Sequence, residues 1–411
     1  MVGSARYCLG PGLAAAMVAL IVAAALAGVR AEPGGVSRLA VPVDGAPFAA
    51  TLVAVDEDWA ITFDVDRERR PLPAADLVLW GEPAAGRHGP QVLTAAGCLL
   101  VGKKPRIVDR QLQIEATLAG PVALPLGEVR GIVFQPPGDR LQDDRLAARV
   151  HAAPRDTDQL ILTNDDLVSG TVTAMDDAHV ALATPLGGMQ IEIDRIAALL
   201  FRFAPVQPAD DQGLDVLVGW RHGTLVHARS LVVTATSVSA TLRCGAHLTG
   251  GNPADLVCLQ PLGGGVVYLS DLPADSFRHV PYLTLPWPFH TDRNVLGGKL
   301  RCRDRLYNKG LGMHTASRVA YRLDRPFRRF EAEIAIDDQA DGKGSVVFRV
   351  LTHAGVVWAD AYASPLVRGG AGPLPVSVDL TGADAISLLV DFADGGDELD
   401  YANWLSARLV K

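Results

Sequence analysis

Beyond residue 35 the chain alternates apolar and polar positions in short runs, and long stretches with the 3.6-residue period of an amphipathic helix are scarce. Gly, Pro, Asp and Asn bound the runs, the pattern of strands joined by turns. "FEAEIAI" sets Phe330, Ala332, Ile334 and Ile336 against Glu331 and Glu333, which predicts a strand with one wet face. "SVVFRVLTHAGVVWADA" predicts a hairpin turning at His353-Ala354-Gly355. "LPVSVDLTG", "AISLLVDF" and "ANWLSARLVK" bring the C-terminal region to at least six strands in about 130 residues, the density of a β-sandwich.

Comparing segments upstream reveals an internal repeat. "LTAAGCLLVGKKPRIVDRQLQIEATLAGPVALPLGEVRGIVF" (93–134) and "LTNDDLVSGTVTAMDDAHVALATPLGGMQIEIDRIAALLF" (162–201) share one order. Each runs strand, turn, strand, Gly turn, strand, then an aliphatic run closing in Phe. A weaker first copy begins near Val43, and a longer fourth runs from about Leu217 to "VVYLSDL". Such a period implies stacked supersecondary units with no single large core. The fold class expected is all-β: small β-barrel-like or β-rich repeats followed by a C-terminal jelly-roll sandwich. Two repeats fall in 36–140 and two in 159–279. Between them 141–158 reads as a charged, Pro-containing linker with a short helix over "LQDDRLAARV", and the sandwich is placed at 280–411, its boundary marked by the prolines and aromatics of "VPYLTLPWPFHTDRN".

Composition narrows the class. An apolar fraction of 49% and a charged fraction of 20% over 411 residues indicate globular domains, more than one of them. The formal charge of −8, without a Lys/Arg run, excludes a nucleic-acid partner. Arg6 precedes an uncharged apolar run, Leu13 to Val29, and "VRA" ends in a cleavage-like Ala31. Residues 1–31 therefore read as a signal peptide, which exports the protein to the periplasm, cell surface or exterior. Left uncleaved, the same run would be a membrane anchor, the one membrane contact expected. The mature chain keeps Cys98, Cys244, Cys258 and Cys302, which allow three disulfide pairings and match no zinc spacing.

One segment differs from the rest: "RLYNKGLGMHTASRVAYRL" (305–323). With "IAIDDQADGKGSVVFRV" and "DGGDELDYANWLSARL" it resembles the NPCBM family of carbohydrate-binding modules. Tyr307, Lys309, Gly310, Gly312, His314 and Ser317 carry the first block; Asp337, Asp338, Gly342, Gly344 and Ser345 the second; Asp400 and Trp404 the third. Asn403 departs from the acid expected there. The resemblance covers about a third of the chain and implies a galactose-binding-like jelly-roll sandwich that takes carbohydrate, with a galactose-containing glycan as one candidate.

Sugar recognition uses aromatic faces against C–H surfaces, with carboxylate, amide and imidazole groups for the hydroxyls. The candidates are His314, Asp338, Trp358, Tyr401, Asn403 and Trp404, each of which could instead serve packing. Gly310-x-Gly312 lacks the third Gly and the helix of a phosphate loop, so the glycines are expected to permit positive φ in a shaped turn. "DDQADG" fails the EF-hand pattern, with Gln339 third and Phe348 twelfth. Sandwiches of the resembled class often hold a structural calcium, for which Asp337, Asp341, Asp397 and Asp400 are the expected ligands. A glycosidase needs two acids across a scissile bond, and the neighbours Asp337 and Asp338 would face opposite ways on a strand. The reading is an exported, non-catalytic carbohydrate-binding protein with the repeats as scaffold. The alternatives are a structural or protein-interaction module without sugar binding and a glycoside hydrolase.

Overall fold

The computed structural model describes residues 35–85, 89–117, 120–151, 155–203, 213–282 and 285–411; the leader expected over 1–31 lies outside them. The first twenty strands, β1 to β20, form four units of one plan. Unit one is β1 (Arg38–Pro42), β2 (Phe48–Val55), β3 (Ala60–Val65), β4 (Glu68–Pro73) and β5 (Leu77–Gly81). Unit two is β6 (Gln91–Thr94), β7 (Leu99–Val108), β8 (Gln111–Ala116), β9 (Gly120–Pro125) and β10 (Val129–Val133). Helix α1 (Arg140–His151) follows. Unit three is β11 (Asp158–Leu162), β12 (Leu167–Met175), β13 (His179–Thr184), β14 (Gly187–Glu192) and β15 (Ile196–Leu200). Unit four is β16 (Asp215–Trp220), β17 (Leu225–Val233), β18 (Val238–Leu242), β19 (His247–Thr249) and β20 (Leu256–Leu262).

In every unit the first strand pairs with both the second and the fifth, and the ladder continues antiparallel through the third strand to the fourth. A register shift in each second strand bends it, the device that curls a small sheet toward a barrel. A 3-10 turn precedes each fifth strand. The fifth strands then join units: β5 pairs β20, and β10 pairs β15. One apolar core runs through all four units, from Ala40 to Leu259.

The C-terminal sandwich begins earlier than the sequence suggests. β21 (Val266–Tyr268) and β22 (Ser276–His279) belong to its sheets and not to the fourth repeat, so the boundary moves upstream of 280. Then come β23 (His290–Thr291), β24 (Leu300–Cys302), β25 (Arg305–Tyr307), β26 (Gly310–His314), β27 (Ser317–Arg322), β28 (Arg329–Ile336) and β29 (Ser345–Ala354). β30 (Val357–Ala363), β31 (Val367–Arg368), β32 (Leu374–Asp379), β33 (Ala385–Phe392) and β34 (Tyr401–Val410) complete it. One sheet runs β23-β26-β34-β28-β32 with β21 also on β34; the other runs β22-β27-β33-β29-β30 with β31 on β29. Their inner faces close on Leu311, Phe330, Ile334, Phe348 and Trp404.

The stretch 141–158 is not a spacer. Helix α1 buries Asp143 and Asp144, and the Asp144 carboxylate takes both guanidinium arms of Arg301 in the sandwich. Gln339 donates to the same carboxylate at 3.0 Å. Near the chain end Val43 and Val78 pack on Val266, Tyr268 and Val410, while Asp44 pairs with Arg328 and Arg329. Arg305 of the β24–β25 hairpin pairs with Glu82 at 3.1 Å and Asn308 donates to Gln260 at 3.0 Å, so the sandwich is docked on the units along several contacts. All four described cysteines are free and buried; the Cys98 and Cys244 thiols share a hydrogen bond across units two and four.

Candidate functional site

β26 is a strand, where a shaped turn was expected. Gly310, at φ +151, lies so close to β34 that a Cβ would sit 2.5 Å from the Trp404 carbonyl oxygen. Gly312 has no positive φ; its glycine is demanded by the 294 backbone, 2.4–2.5 Å from where a Cβ would stand. The preceding Lys309 is buried, its ammonium held by Asp271 at 2.5 Å and Asp292 at 2.6 Å. These constraints deliver His314 at the end of β26, in register with Tyr401 of β34.

Two prolines, Pro286 and Pro288, flank Trp287, whose backbone N–H donates to His279 Nδ1 at 3.1 Å. Its ring stacks on His314, centroids 4.6 Å apart and planes within 3°. His279 meets His314 edge-on, and Tyr401 lies 6.1 Å from both Trp287 and His314. Leu285, Trp287, His314, Asp397, Leu399 and Tyr401 line a depression of about 250 Å³. Burial pushes the His314 imidazole down to about 4; Asp397 opposes this and His279 adds to it. At neutral pH the ring is therefore uncharged, with one nitrogen to donate and one to accept.

The structure unites His314, Tyr401 and Asp397 and separates the other expected sugar contacts. Trp404 is fully buried, edge-on to Phe348 at 5.0 Å and to Phe330 at 6.1 Å, so it is core. Asn403 is also buried, donating to Asp337 at 2.7 Å. Asp338 accepts the backbone N–H groups of Arg303 and Asp304 at 2.7 and 2.8 Å and so shapes the β24–β25 hairpin. Trp358 is 36% exposed, but on the other sheet, between Arg318 and His353. Trp287 was missed. Its signal was the Leu-Pro-Trp-Pro-Phe run, read only as the mark of a domain boundary.

The expected calcium ligands do not assemble either. Asp337 accepts from Asn294 Nδ2 (3.1 Å) and the Gln339 N–H (3.0 Å) on one oxygen, and from the Arg301 N–H (3.1 Å) and Asn403 Nδ2 (2.7 Å) on the other. Four N–H donors present positive hydrogens where a cation would need lone pairs. Burial outweighs these bonds and holds the Asp337 carboxyl up at about 6. Asp400 accepts the Ser345 N–H at 2.7 Å and is likewise raised to about 6, by burial first. Asp341 is exposed in a left-handed turn, and Asp397 faces the Trp287 depression. Among the described residues no three His, Cys, Asp or Glu side chains come together to hold a metal. The donor set does not fit calcium.

Two facing antiparallel sheets make this region a β-sandwich that carries an aromatic depression. Residues 265–410 match the NPCBM/NEW2 domain family, so this part of the chain is an NPCBM domain. Among curated proteins, the chain is 34% identical over 104 residues, 25% of its length, to the "Putative endo-alpha-N-acetylgalactosaminidase" of Renibacterium salmoninarum. It is 30% identical over 118 residues, 28% of its length, to the alpha-1,3-galactosidase B of Akkermansia muciniphila. The chain spans only 7% and 14% of the length of these two relatives. Among solved structures, CBM51 from Clostridium perfringens GH95 in complex with methyl-galactose is 23% identical, covering 35% of this chain and 99% of that one at a TM-score of 0.31. CBM51-2 with INT domains from Clostridium perfringens ZmpB, in complex with GlcNAc, is 24% identical, covering 44% and 38% at a TM-score of 0.32.

Proposed function

We propose that this protein is exported and binds a neutral carbohydrate, without catalysis, through the depression formed by Trp287, His314, Asp397 and Tyr401. The observation that carries the reading is this aromatic surface bordered by an uncharged imidazole and a carboxylate, inside a domain of a carbohydrate-binding family. Trp287 and Tyr401 offer ring surface to the C–H face of a pyranose. His314 and Asp397 supply donor and acceptor capacity for its hydroxyls. A depression this shallow suits one or two sugar residues held reversibly, and the β units serve as scaffold. The names of the two curated relatives make glycans with galactose or N-acetylgalactosamine the first to test. Hydrolysis finds no support in the acids that sequence singles out, since Asp337 and Asp338 are both committed to loop donors.

The test is a glycan-array screen of the full chain, followed by calorimetry on the best hit. Trp287→Ala should lower affinity about tenfold or more, a loss of roughly 1.4 kcal/mol, and leave the melting temperature unchanged. Release of reducing sugar from a bound glycan, abolished by Asp397→Asn, would defeat the non-catalytic reading.

A further inference from the structure

A second cavity lies where the β units meet the sandwich. It encloses about 410 Å³, within the range of roughly 300–1,000 Å³ typical of small-molecule sites, which favour domain interfaces. One wall is apolar: Leu93 and Leu99 of unit two, Leu217 and Leu225 of unit four, and Leu306 of the β24–β25 hairpin. The other is basic: Arg293 and Lys299 from the sandwich and His151 at the end of α1.

The hydrogen-bond balance of this lining is lopsided. Its carboxylates, Asp271 and Asp292, are already taken by Lys309. Arg293 spends one N–H on the Gly297 carbonyl, at 3.1 Å. The Lys299 ammonium stands 3.8 Å from Asp143, beyond a good hydrogen bond. Gln91 is 5% exposed and its amide nitrogen has no partner at all. Three lining cations against two lining carboxylates leave a net charge of +1 (3 − 2). Burial drives the His151 imidazole down to about 3, with Arg293, Arg130 and Lys299 adding to the push. A buried donor without an acceptor is costly, which makes the Gln91 amide a mark of a ligand or ordered water.

We propose that this cavity is a second binding site, for a small organic carboxylate whose head meets Arg293, Lys299 and His151 and whose carbon body lies on the leucine wall. A planar guanidinium matches a carboxylate in two parallel bonds. The single surplus charge suits a monoanion better than phosphate. A neutral sugar would look to the carboxylates as acceptors, and both of those in the lining are already bound by Lys309. The site is separate from the Trp287 depression and does not depend on the sugar reading.

The experiment is calorimetry on the full chain with four probes: glucuronate, hexanoate, glucose and inorganic phosphate. A Trp287→Ala background keeps any binding at the sandwich depression out of the signal. At least one carboxylate should bind at one site. Arg293→Gln should weaken it about ten- to a hundredfold, the worth of hydrogen bonds to a charged group. Binding of glucuronate alone identifies a sugar acid, and of hexanoate alone an apolar acid. Hydrogen exchange needs no variant: the carboxylate should protect 91–99 and 293–309. Absence of carboxylate binding, equal binding of glucose or phosphate, or protection confined to other segments would overturn the proposal.

Discussion

Gly312 and His314 occupy one strand and are constrained by opposite means, one by backbone contact and the other by its charge state. At Gly312 a side chain of any kind would overlap the 294 main chain, which cannot swing aside as a flexible side chain could. Gly312→Val should therefore cost several kcal/mol, in the class of the severest core overpacking, and chemical denaturation of the full chain will measure it. His314 makes a pH prediction. Its folded value near 4 lies below the ordinary 6.5, so between those limits the folded protein holds fewer protons than the unfolded chain. Its contribution to stability is lost as pH falls from 6.5 toward 4. Asp337 and Asp400, raised to about 6 from 3.8, act with the opposite sign, costing stability as pH rises through 4 to 6. Stability thus mixes the effects, and sugar affinity isolates the imidazole. Titrating calorimetry should find affinity flat from pH 8 to about 5 and falling below, because only then does His314 gain charge. Residue types alone did not sort these positions. Strand alternation does: Tyr401 and Trp404 are three apart on β34 and must face opposite ways, one to the depression and one to the core. Asn403 shares the parity of Tyr401 yet is buried, because β23 and the 292–299 loop cover that part of the strand.

At the level of elements, the four repeats were legible because each carries its own alternation, bend and turn. Their partners were not. The fifth strands that join unit one to four and two to three, such as Leu256–Leu262, are buried on nearly every residue. A strand covered on both faces reads as a continuous apolar run, and such a run names no neighbour. Helix α1 misleads for the converse reason. Its buried face includes Asp143 and Asp144, so hydropathy describes it as a solvated linker. What docks it is charge, above all the Asp144–Arg301 pair, whose side chains are 2% and 5% exposed. Asp144→Ala strands a buried guanidinium and should destabilise the full chain by about 3–5 kcal/mol. Replacing both, as Asp144→Leu with Arg301→Met, should recover most of that loss. A double-mutant cycle by urea denaturation checks both values. A single-site cost below about 1 kcal/mol, the range of exposed pairs, would show that α1 does not anchor the sandwich.

Across the whole molecule, the sandwich must be cut where its own contacts end. Starting a fragment at 280 removes β21, which covers residues 408–410 of β34, and β22, which pairs along β27. It also removes Leu269, fully buried in the sandwich core, and Asp271, one of the two carboxylates that neutralise buried Lys309. A core leucine alone is worth about 2–5 kcal/mol, against a total stability of about 5–15 kcal/mol for an ordinary domain. A fragment of 280–411 should therefore show no cooperative melt. Starting at 265 restores all four features. It also frees Arg301 from Asp144, but with α1 gone the guanidinium opens to water and rehydrates, so the cost of the point variant does not carry over. Residues 265–411 should accordingly melt cooperatively and retain the glycan binding of the full chain, since every residue around the Trp287 depression lies inside them. Differential scanning calorimetry of the two fragments decides the matter. If 280–411 melts as sharply and as hot as 265–411, then β21, Leu269 and the Lys309–Asp271 pair are ornaments on a sandwich that folds without them.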